Sequence, residues 1–342
     1  MHEIPHIKIN AKNNDDFGFR LGESISEKIK SRIIKNKLAY SKRGTKNFNS
    51  LVNKSKKFLP KLEREFPELV SELKGMSEGA EIPFNELLVL NCEEEMLDFF
   101  IPHCTSIAAY TTNKEIIIGH NDDWLPEYRD NGMVLVEGKI KDKKFLALTY
   151  IGSLPGTSCG LNSKGMAFTV NSLDFRRFRY GIPRCFLLRE LLEKNSIKDA
   201  EKLVTSPERS IAANTMMVQR NFSIEDVEAL WENSEIFHGN RWLIHTNHPL
   251  KKKEQNKINT DKESLVRFNG VRQALSKEKN VTVNTVKDIL RNHKSGVCSD
   301  INTKHPKYGV TIGSAIINPV EMWMEVCHGN PCKNDYKRYY LK

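Results

Sequence analysis

The hydrophobic pattern of the chain changes near residue 100, and this change limits the folds that the chain can adopt. Before it, apolar residues such as Ile25, Ile29 and Ile33 recur at four-residue steps, which is typical of amphipathic helices. After it come short runs of β-forming residues separated by turn residues, beginning with Ser106–Tyr110. The sequence therefore predicts a helical segment followed by a region rich in β-sheet.

Three helices are expected in the first hundred residues, which are predicted to be helical throughout. The first carries the isoleucines named above. The second is limited or kinked by Pro60 and Pro67, and the third begins after Pro83 and ends near Pro102.

Strands and helices alternate beyond residue 104. The predicted strands are Ser106–Tyr110, Glu115–Gly119, Met133–Lys139, Phe145–Tyr150, Met166–Asn171, Thr215–Val218, Trp242–His245, Gly313–Ile317 and Met322–Val326. The predicted helices are Arg184–Lys194, Lys198–Val204, Asp261–Lys277 and Asn284–Arg291. Hairpin strands interleaved with helix pairs indicate two sheets between helical layers, an αββα sandwich of the α+β class.

The net charge of the chain bears on whether it binds nucleic acid. The chain has 53 Lys and Arg against 43 Asp and Glu, a formal charge of +10. The basic residues lie in short groups such as Lys251–Lys253, and no helix-turn-helix, zinc-finger or ribonucleoprotein motif accompanies them. A solvated surface is the preferred interpretation, and nucleic-acid binding is the lesser alternative.

The expected compartment follows from what the sequence lacks. No run approaches the roughly 18 to 20 apolar residues of a membrane span. No secretory signal is visible at the N-terminus, and the seven cysteines are scattered and do not have the spacing of a disulfide framework. These features predict a reduced, cytoplasmic protein that does not enter membranes.

Four segments carry residues with catalytic potential. Cys104 opens the first predicted strand, where we expect it to be exposed at a sheet edge. Gly119–Trp124 ends the next strand and places two acids in a predicted turn. Gly160–Gly165 forms a hairpin turn into the strand that ends at Asn171, and His245–His248 follows a later strand. Taken singly, these patterns favour a buried cysteine and solvated turns.

No metal or cofactor is predicted. His245 and His248 lie three residues apart, but no third ligand stands at a diagnostic spacing. Cys327, His328 and Cys332 make only half of a zinc motif.

Taken in order, the four segments resemble the acyl-coenzyme A:6-aminopenicillanic acid acyltransferase family of autoproteolytic N-terminal nucleophile (Ntn) hydrolases. The turn that leads to Asn171 is also similar to the choloylglycine hydrolases, a related Ntn group. The resemblance spans roughly residues 70 to 330. It implies a four-layer αββα Ntn-hydrolase sandwich preceded by a helical segment.

The resemblance implies self-cleavage between His103 and Cys104. Residues 1–103 would then form a helical α chain, and residues 104–342 the catalytic β chain. The new α-amino group has a reference pKa of about 7.7–8.0, so it can act as general base for the Cys104 thiol. A separate catalytic histidine is then unnecessary.

Three further site residues follow from the same resemblance. Asp123 would orient the new α-amino group, and Asn247 would donate to the oxyanion. Asn171 would be a second oxyanion donor, by its likeness to the bile-salt hydrolases. His245 and His248 would hold the geometry of the loop.

Two positions depart from the fungal acyltransferase. It has glycine where this chain has His103, and an arginine near its C-terminal strand where His328 is the nearest equivalent. The penicillin substrate is therefore not carried over.

The resulting hypothesis is a cysteine amidohydrolase or acyltransferase acting on a small N-acyl amide or peptide through a Cys104 thioester. Whether water or an amine accepts the acyl group stays open, as does assembly into a homo-oligomer. Two alternatives are an unprocessed Ntn fold that serves as a binding module and a basic nucleic-acid-binding protein.

Overall fold

The computed structural model describes residues 3–42, 47–97, 104–113, 115–130, 132–173, 178–221, 223–255, 262–300 and 309–342. The helices are Asn14–Ser24 (α1), Ser26–Lys42 (α2), Phe48–Ser55 (α3), Leu59–Glu65 (α4), Pro67–Ala80 (α5), Phe84–Leu90 (α6), Glu93–Met96 (α7), Arg184–Leu191 (α8), Ile197–Val204 (α9), Lys252–Gln255 (α10), Lys262–Lys277 (α11) and Val283–Leu290 (α12). The strands are His6–Ala11 (β1), Thr105–Tyr110 (β2), Ile116–Trp124 (β3), Met133–Ile140 (β4), Lys143–Tyr150 (β5), Cys159–Asn162 (β6), Met166–Ser172 (β7), Ala213–Gln219 (β8), Ser223–Ala229 (β9), Ser234–His238 (β10), Trp242–His245 (β11), Val310–Asn318 (β12), Trp323–His328 (β13) and Lys337–Tyr340 (β14).

These strands form two sheets that pack face to face. The larger sheet has the order β1-β4-β5-β6-β7-β8-β9-β10, and the smaller has the order β11-β2-β3-β12-β13-β14. Neighbouring strands are antiparallel except β1 and β4, which run parallel. Strands β2 and β3 of the smaller sheet contact β7 and β8 of the larger. The space between these four strands holds the candidate site.

Helices cover the outer face of each sheet. Residues of α11 and α12, including Val286, pack with Ile117 and Ile316 of the smaller sheet in a separate apolar cluster. On the larger sheet, Phe17 of α1 lies 5.7 Å from Phe145 of β5, measured between ring centroids. The predicted αββα sandwich is confirmed. No helix within the described ranges has both the length and the apolar composition to cross a bilayer.

Helices α1 and α5 cross with their backbones in contact, because glycines occupy the crossing point. A Cβ atom on Gly18 would lie 1.8 Å from the carbonyl oxygen of Glu72. A Cβ atom on Gly79 would lie 2.0 Å from the carbonyl oxygen of Phe19. The glycines therefore set how closely the two helices approach each other.

The described chain begins with a strand, whereas the first hundred residues were expected to be helical throughout. β1 pairs with β4 at the edge of the larger sheet and buries Ile9 and Ala11, while Lys8 and Asn10 are exposed. This two-residue alternation is the signature of a half-buried strand. The prediction was wrong because the segment is too short to stand out against the helical pattern that follows it.

The prolines of the helical segment begin helices. Pro60 lies in the first turn of α4, and Pro67 is the first residue of α5. Proline is tolerated there because the first backbone N–H groups of a helix have no intrahelical acceptor. The predicted second helix is accordingly several short helices. Pro102 and His103 lie outside the described residues.

Candidate active site

Cys104 stands immediately before β2, inside the smaller sheet. β2 pairs with β11 on one side and with β3 on the other. The cysteine is only 9% exposed. The expectation of an exposed sheet edge was wrong, because β11 returns late in the sequence to cover that edge.

The two acids after His120 lie inside β3 rather than in a turn. Asp123 pairs with Thr311 and Asp122 with Gly313 of β12, across a register shift. Both acids are buried, and the Tyr150 hydroxyl donates to Asp122 Oδ1 at 2.7 Å. The prediction of a solvated turn was wrong because β12, almost two hundred residues later, extends the strand pairing over these polar residues.

The Cys104 thiol lies against both acidic residues. Its Sγ is 4.0 Å from Asp122 Oδ1 and 3.9 Å from the backbone carbonyl oxygen of Asp123. Burial, and then the charges of Asp122 and Asp123, raise the pKa of Cys104 well above its ordinary value. The thiol is therefore protonated in the uncleaved chain and needs a base before it can attack.

Asp123 is a buried acid with an unusual environment. Burial raises its pKa to about 8, although the Arg267 guanidinium and the Thr311 hydroxyl oppose this shift. Within the described part of the chain, neither carboxylate oxygen has a well-formed hydrogen bond. A cationic hydrogen-bond donor placed beside Asp123 would therefore lower the pKa of its carboxyl group and pair with the carboxylate.

His120 lies beside the same thiol and is held by a hydroxyl network. Its Nδ1 is 3.0 Å from Ser106 Oγ, and Ser106 donates to Asn171 Oδ1 at 2.7 Å. Because the Ser106 proton is used for Asn171, its oxygen accepts from His120, which assigns the ring proton to Nδ1. Burial lowers the pKa of His120 to about 4. The ring is therefore neutral, with an unprotonated Nε2.

The side chains around the thiol are close enough together for proton transfer, and also for binding a metal ion. Cys104, His120 and Asp122 each offer one ligand atom, and these atoms lie within 4.8 Å of one another. His120 Nε2 is 3.9 Å from Asp122 Oδ2. The thiol is a possible proton donor and the neutral imidazole a possible acceptor, although the raised pKa of Cys104 and the lowered pKa of His120 keep the proton on sulfur in the resting state.

The two predicted oxyanion donors stand on different elements. Asn171 of β7 is fully buried, and its Nδ2 has no acceptor among the described residues. Asn247 follows β11, and its Nδ2 donates to the Ser172 carbonyl at 3.0 Å, which leaves one N–H of the amide. Each side chain therefore has an amide N–H that no described residue accepts, which is what an oxyanion donor requires.

Arg267 joins the nucleophile to Asn247, and sequence reasoning missed it. Its Nη1 donates to the Cys104 carbonyl at 2.6 Å and to Thr105 Oγ1 at 3.1 Å. Its Nη2 donates to Asn247 Oδ1 at 2.8 Å. Arg267 lies on the buried face of α11 in line with Val271, where apolar residues are usual. An arginine among the apolar residues of a helix face is unusual, and this position could have identified Arg267 from the sequence.

The histidines around Asn247 occupy the places expected of loop supports. His245 Nε2 is 2.8 Å from Glu228 Oε1, and His248 Nδ1 is 2.7 Å from Ser264 Oγ. The same Ser264 hydroxyl accepts from the backbone N–H of Asn247 at 2.8 Å. These bonds fix the loop on both sides of the asparagine.

His328 lies two strands away from the strand that carries Asp122 in the smaller sheet. It ends β13 and pairs with Gly313, which in turn pairs with Asp122. Of Cys327, His328 and Cys332, only Cys332 belongs to a compact group of possible metal ligands, and its companions there are His293 and Cys298.

Comparison with known proteins places this chain in a family. A profile of the acyl-coenzyme A:6-aminopenicillanic acid acyl-transferase family matches residues 110–333, about two thirds of the chain. The matched range contains Asp123, Asn171, Asn247 and Arg267, and it begins shortly after Cys104.

One curated relative and two solved structures are also similar. Beta-alanyl-dopamine/carcinine hydrolase of Drosophila melanogaster is 28% identical over an alignment of 218 residues, with a coverage of 55% of this chain and 54% of the relative. The chain thus spans about half the length of that relative. An N-acylethanolamine-hydrolyzing acid amidase ortholog from Caenorhabditis elegans is 16% identical with a TM-score of 0.48, over 64% of this chain and 93% of the other. A variant of conjugated bile acid hydrolase from Clostridium perfringens is 14% identical with a TM-score of 0.49, over 70% and 97%. Because the family profile covers more than half of its length, this chain belongs to the acyl-coenzyme A:6-aminopenicillanic acid acyl-transferase family.

Proposed function

We propose that the chain is a self-cleaving Ntn enzyme, a cysteine amidohydrolase or acyltransferase that acts on a small N-acyl amide or peptide. The observation that carries this proposal is the position of the Cys104 thiol just before β2, against the Asp122 carboxylate and the backbone carbonyl of Asp123, a buried acid whose carboxylate has no well-formed hydrogen bond within the described structure. Membership of the acyl-transferase family supports it.

Self-cleavage is the first step of the proposed mechanism. The Cys104 sulfur attacks the carbonyl carbon of residue 103, and the peptide nitrogen leaves as the α-amine of Cys104. Water then hydrolyses the thioester and frees the thiol. The nitrogen is still an amide when the attack begins, so it cannot act as base. We assign the relay of the thiol proton to His120, whose neutral ring lies beside the sulfur.

The cleaved enzyme has a different base. The new α-amine belongs to the residue whose thiol lies against Asp122 and Asp123. An ammonium group there forms an ion pair with a buried carboxylate and lowers its pKa. The neutral amine takes the thiol proton as the sulfur attacks the substrate carbonyl and passes it to the departing amine. The acyl group then goes from the thioester to water or to an amine.

The two asparagines stabilise the tetrahedral intermediate in this scheme. Asn171 and Asn247 each have an amide N–H that is free to donate within the described structure. Removal of one oxyanion donor typically lowers kcat by about 10²–10³. Asn247→Ala is therefore expected to impair turnover while the fold is kept.

The first substrates to test follow from the curated relative. Its name, beta-alanyl-dopamine/carcinine hydrolase, designates two amides with a common β-alanyl group. We extend this class of small N-acyl amine to the present chain as a proposal. Dopamine or histamine release from these compounds measures hydrolysis, and added amines test acyl transfer.

The decisive experiment is denaturing gel electrophoresis of the purified protein. Cleavage before Cys104 divides 39.3 kDa into pieces of about 12 and 27 kDa, and the larger piece should begin Cys-Thr-Ser-Ile. Cys104→Ala should remain whole and inactive. Cys185→Ala is the matched control and should still be cleaved.

Other outcomes favour other mechanisms. An intact chain that hydrolyses amides and loses this activity in His120→Gln would contradict the Ntn mechanism and favour a Cys–His pair. An intact, inert chain that binds a small amide would support the binding-module alternative. Steeply salt-dependent DNA or RNA binding by an inert chain would support the nucleic-acid alternative.

A further inference from the structure

Two thiols and an imidazole meet beside the smaller sheet, in a group separate from Cys104, His120 and Asp122. His293 and Cys298 lie in the loop after α12, and Cys332 lies in the turn between β13 and β14. Cys332 Sγ is 2.8 Å from His293 Nε2 and 3.5 Å from Cys298 Sγ. All three ligand atoms lie within 4.8 Å of one another.

We propose that His293, Cys298 and Cys332 bind a Zn²⁺ ion that ties the loop after α12 to the turn after β13. Thiolate and imidazole are the ligands that zinc prefers. With Zn–S of about 2.3 Å and Zn–N of about 2.0 Å, tetrahedral geometry needs S···S of about 3.8 Å and S···N of about 3.6 Å. His293 and Cys332 are exposed, so their side chains can make the necessary small adjustment.

Cys298 has one polar partner of the kind that orients a metal thiolate. The buried Asn330 amide donates to its Sγ at 3.4 Å. Asn330 is itself fixed, since its Oδ1 accepts from Arg129 at 3.0 Å and its Nδ2 donates to the Ser299 carbonyl at 2.6 Å. Such outer partners orient metal ligands.

Zinc binding leaves a neutral centre. Both thiols release their protons to solvent, and two thiolates with one neutral imidazole compensate the charge of the ion. Water from the exposed side completes four-fold coordination. An alternative is a disulfide between Cys298 and Cys332, but a disulfide gives no role to His293 beside the same sulfur.

The site also touches the strand that carries the catalytic acids. Asn121 of β3 donates to the carbonyls of Leu290 and Val297, both at 2.8 Å, at the two ends of the ligand loop. Ser299 bonds to Thr311, the partner of Asp123. A metal that stiffens this loop therefore supports β3 from outside.

The test is a Zn²⁺ titration of the full chain, reduced with a phosphine, against a chromophoric chelator. Co²⁺ serves as the spectroscopic probe, since cobalt thiolates absorb strongly in the near ultraviolet. We expect one equivalent of tightly bound metal, a rise in Tm on binding, and loss of both in Cys332→Ser and in His293→Ala. Asn330→Ala should weaken binding by about 10- to 100-fold.

Two controls separate this site from the catalytic one. Cys104→Ser removes a member of the other compact group, and Cys185→Ser removes a cysteine outside both. Both should still bind one equivalent, whatever becomes of the proposed function. Metal retained in Cys332→Ser, provided that its metal-free Tm is unchanged, would overturn the zinc site. So would a wild-type chain that forms the Cys298–Cys332 disulfide but binds no metal when reduced.

Discussion

Asp123 is the residue whose chemistry changes most when Cys104 becomes a chain terminus. In the uncleaved chain it is buried, and its pKa is raised to about 8. The Arg267 guanidinium that opposes this shift is already engaged with the Cys104 carbonyl and Asn247. The uncleaved fold thus carries an acid that favours its neutral form, and the proposed cleavage would supply the cation that favours the charged form.

This predicts a specific pH dependence of stability in the uncleaved chain. Between about pH 4 and pH 8 the folded chain keeps the Asp123 proton, whereas the unfolded chain has lost it. Stability therefore falls as pH rises through this window, by at most about 1.4 kcal/mol per pH unit from this group. Asp123→Asn, made in a Cys104→Ala chain, removes this contribution.

Urea unfolding of both proteins across this pH range measures the effect. The stability of the Asn variant relative to its parent should increase with pH and level off above about pH 8. Asp130→Asn, near the surface, is the matched control. A difference between variant and parent that stays constant with pH would contradict the assigned environment.

The sequence alone singled out some of the candidate site residues and missed others. Cys104, Asp123 and Asn247 stand in ordered motifs, so a resemblance could single them out. Arg267 and Tyr150 have no motif around them, because each reaches the site from an element distant in sequence. Such contacts depend on packing between layers, which local patterns do not encode.

At the scale of elements, the crossing of α1 and α5 is the most constrained feature of the helical segment. Gly22 and Gly75 repeat the close approach, with Cβ positions 2.2 Å from carbonyl oxygens of the facing helix. A side chain at any of these positions would force the two helix backbones apart. The glycines are therefore required by packing and not by turn geometry.

Gly79→Ala should destabilise the fold. An alanine in a helix interior normally stabilises by about 1 kcal/mol relative to glycine. Here the added methyl would overlap the Phe19 carbonyl, and overpacking of this kind costs about 1–3 kcal/mol or more. Thermal unfolding should show a lower Tm. The exposed Glu78→Ala on the same helix is the control, and a higher Tm for Gly79→Ala would refute this crossing geometry.

The predictability of the elements follows the strength of the local pattern. The strands β2, β4 and β5 were found because their apolar runs are long and bounded by turn residues. β3 was predicted to end at Gly119 but continues to Trp124, because its last three residues are paired through β12, a strand far along the chain. β1 was missed because six residues of alternation precede a much longer helical pattern.

At the scale of the whole molecule, the segments on either side of Cys104 share one hydrophobic core. β1 is an edge strand of the larger sheet, so part of that sheet lies before the proposed cut. Glu72 of α5 pairs with Arg189 of α8 at 2.8 Å, with both side chains fully buried. Arg32 of α2 donates to Ser153 at 3.0 Å, again across the cut. Separation of the two pieces would expose all of these groups.

We therefore expect residues 1–103 and 104–342 to remain associated after cleavage. Native mass measurement should give one species near 39.3 kDa, although a denaturing gel separates two. Glu72→Gln should weaken the association, because breaking a buried ion pair costs about 3–5 kcal/mol and Arg189 keeps only Glu193 as a charged partner at 2.6 Å. Glu68→Gln, exposed on the same helix, should have no effect. Dissociation of the small piece of the wild-type protein under native conditions would show that the shared core does not hold the two pieces together. The packing of the helical segment on the larger sheet would then be weaker than its buried contacts indicate.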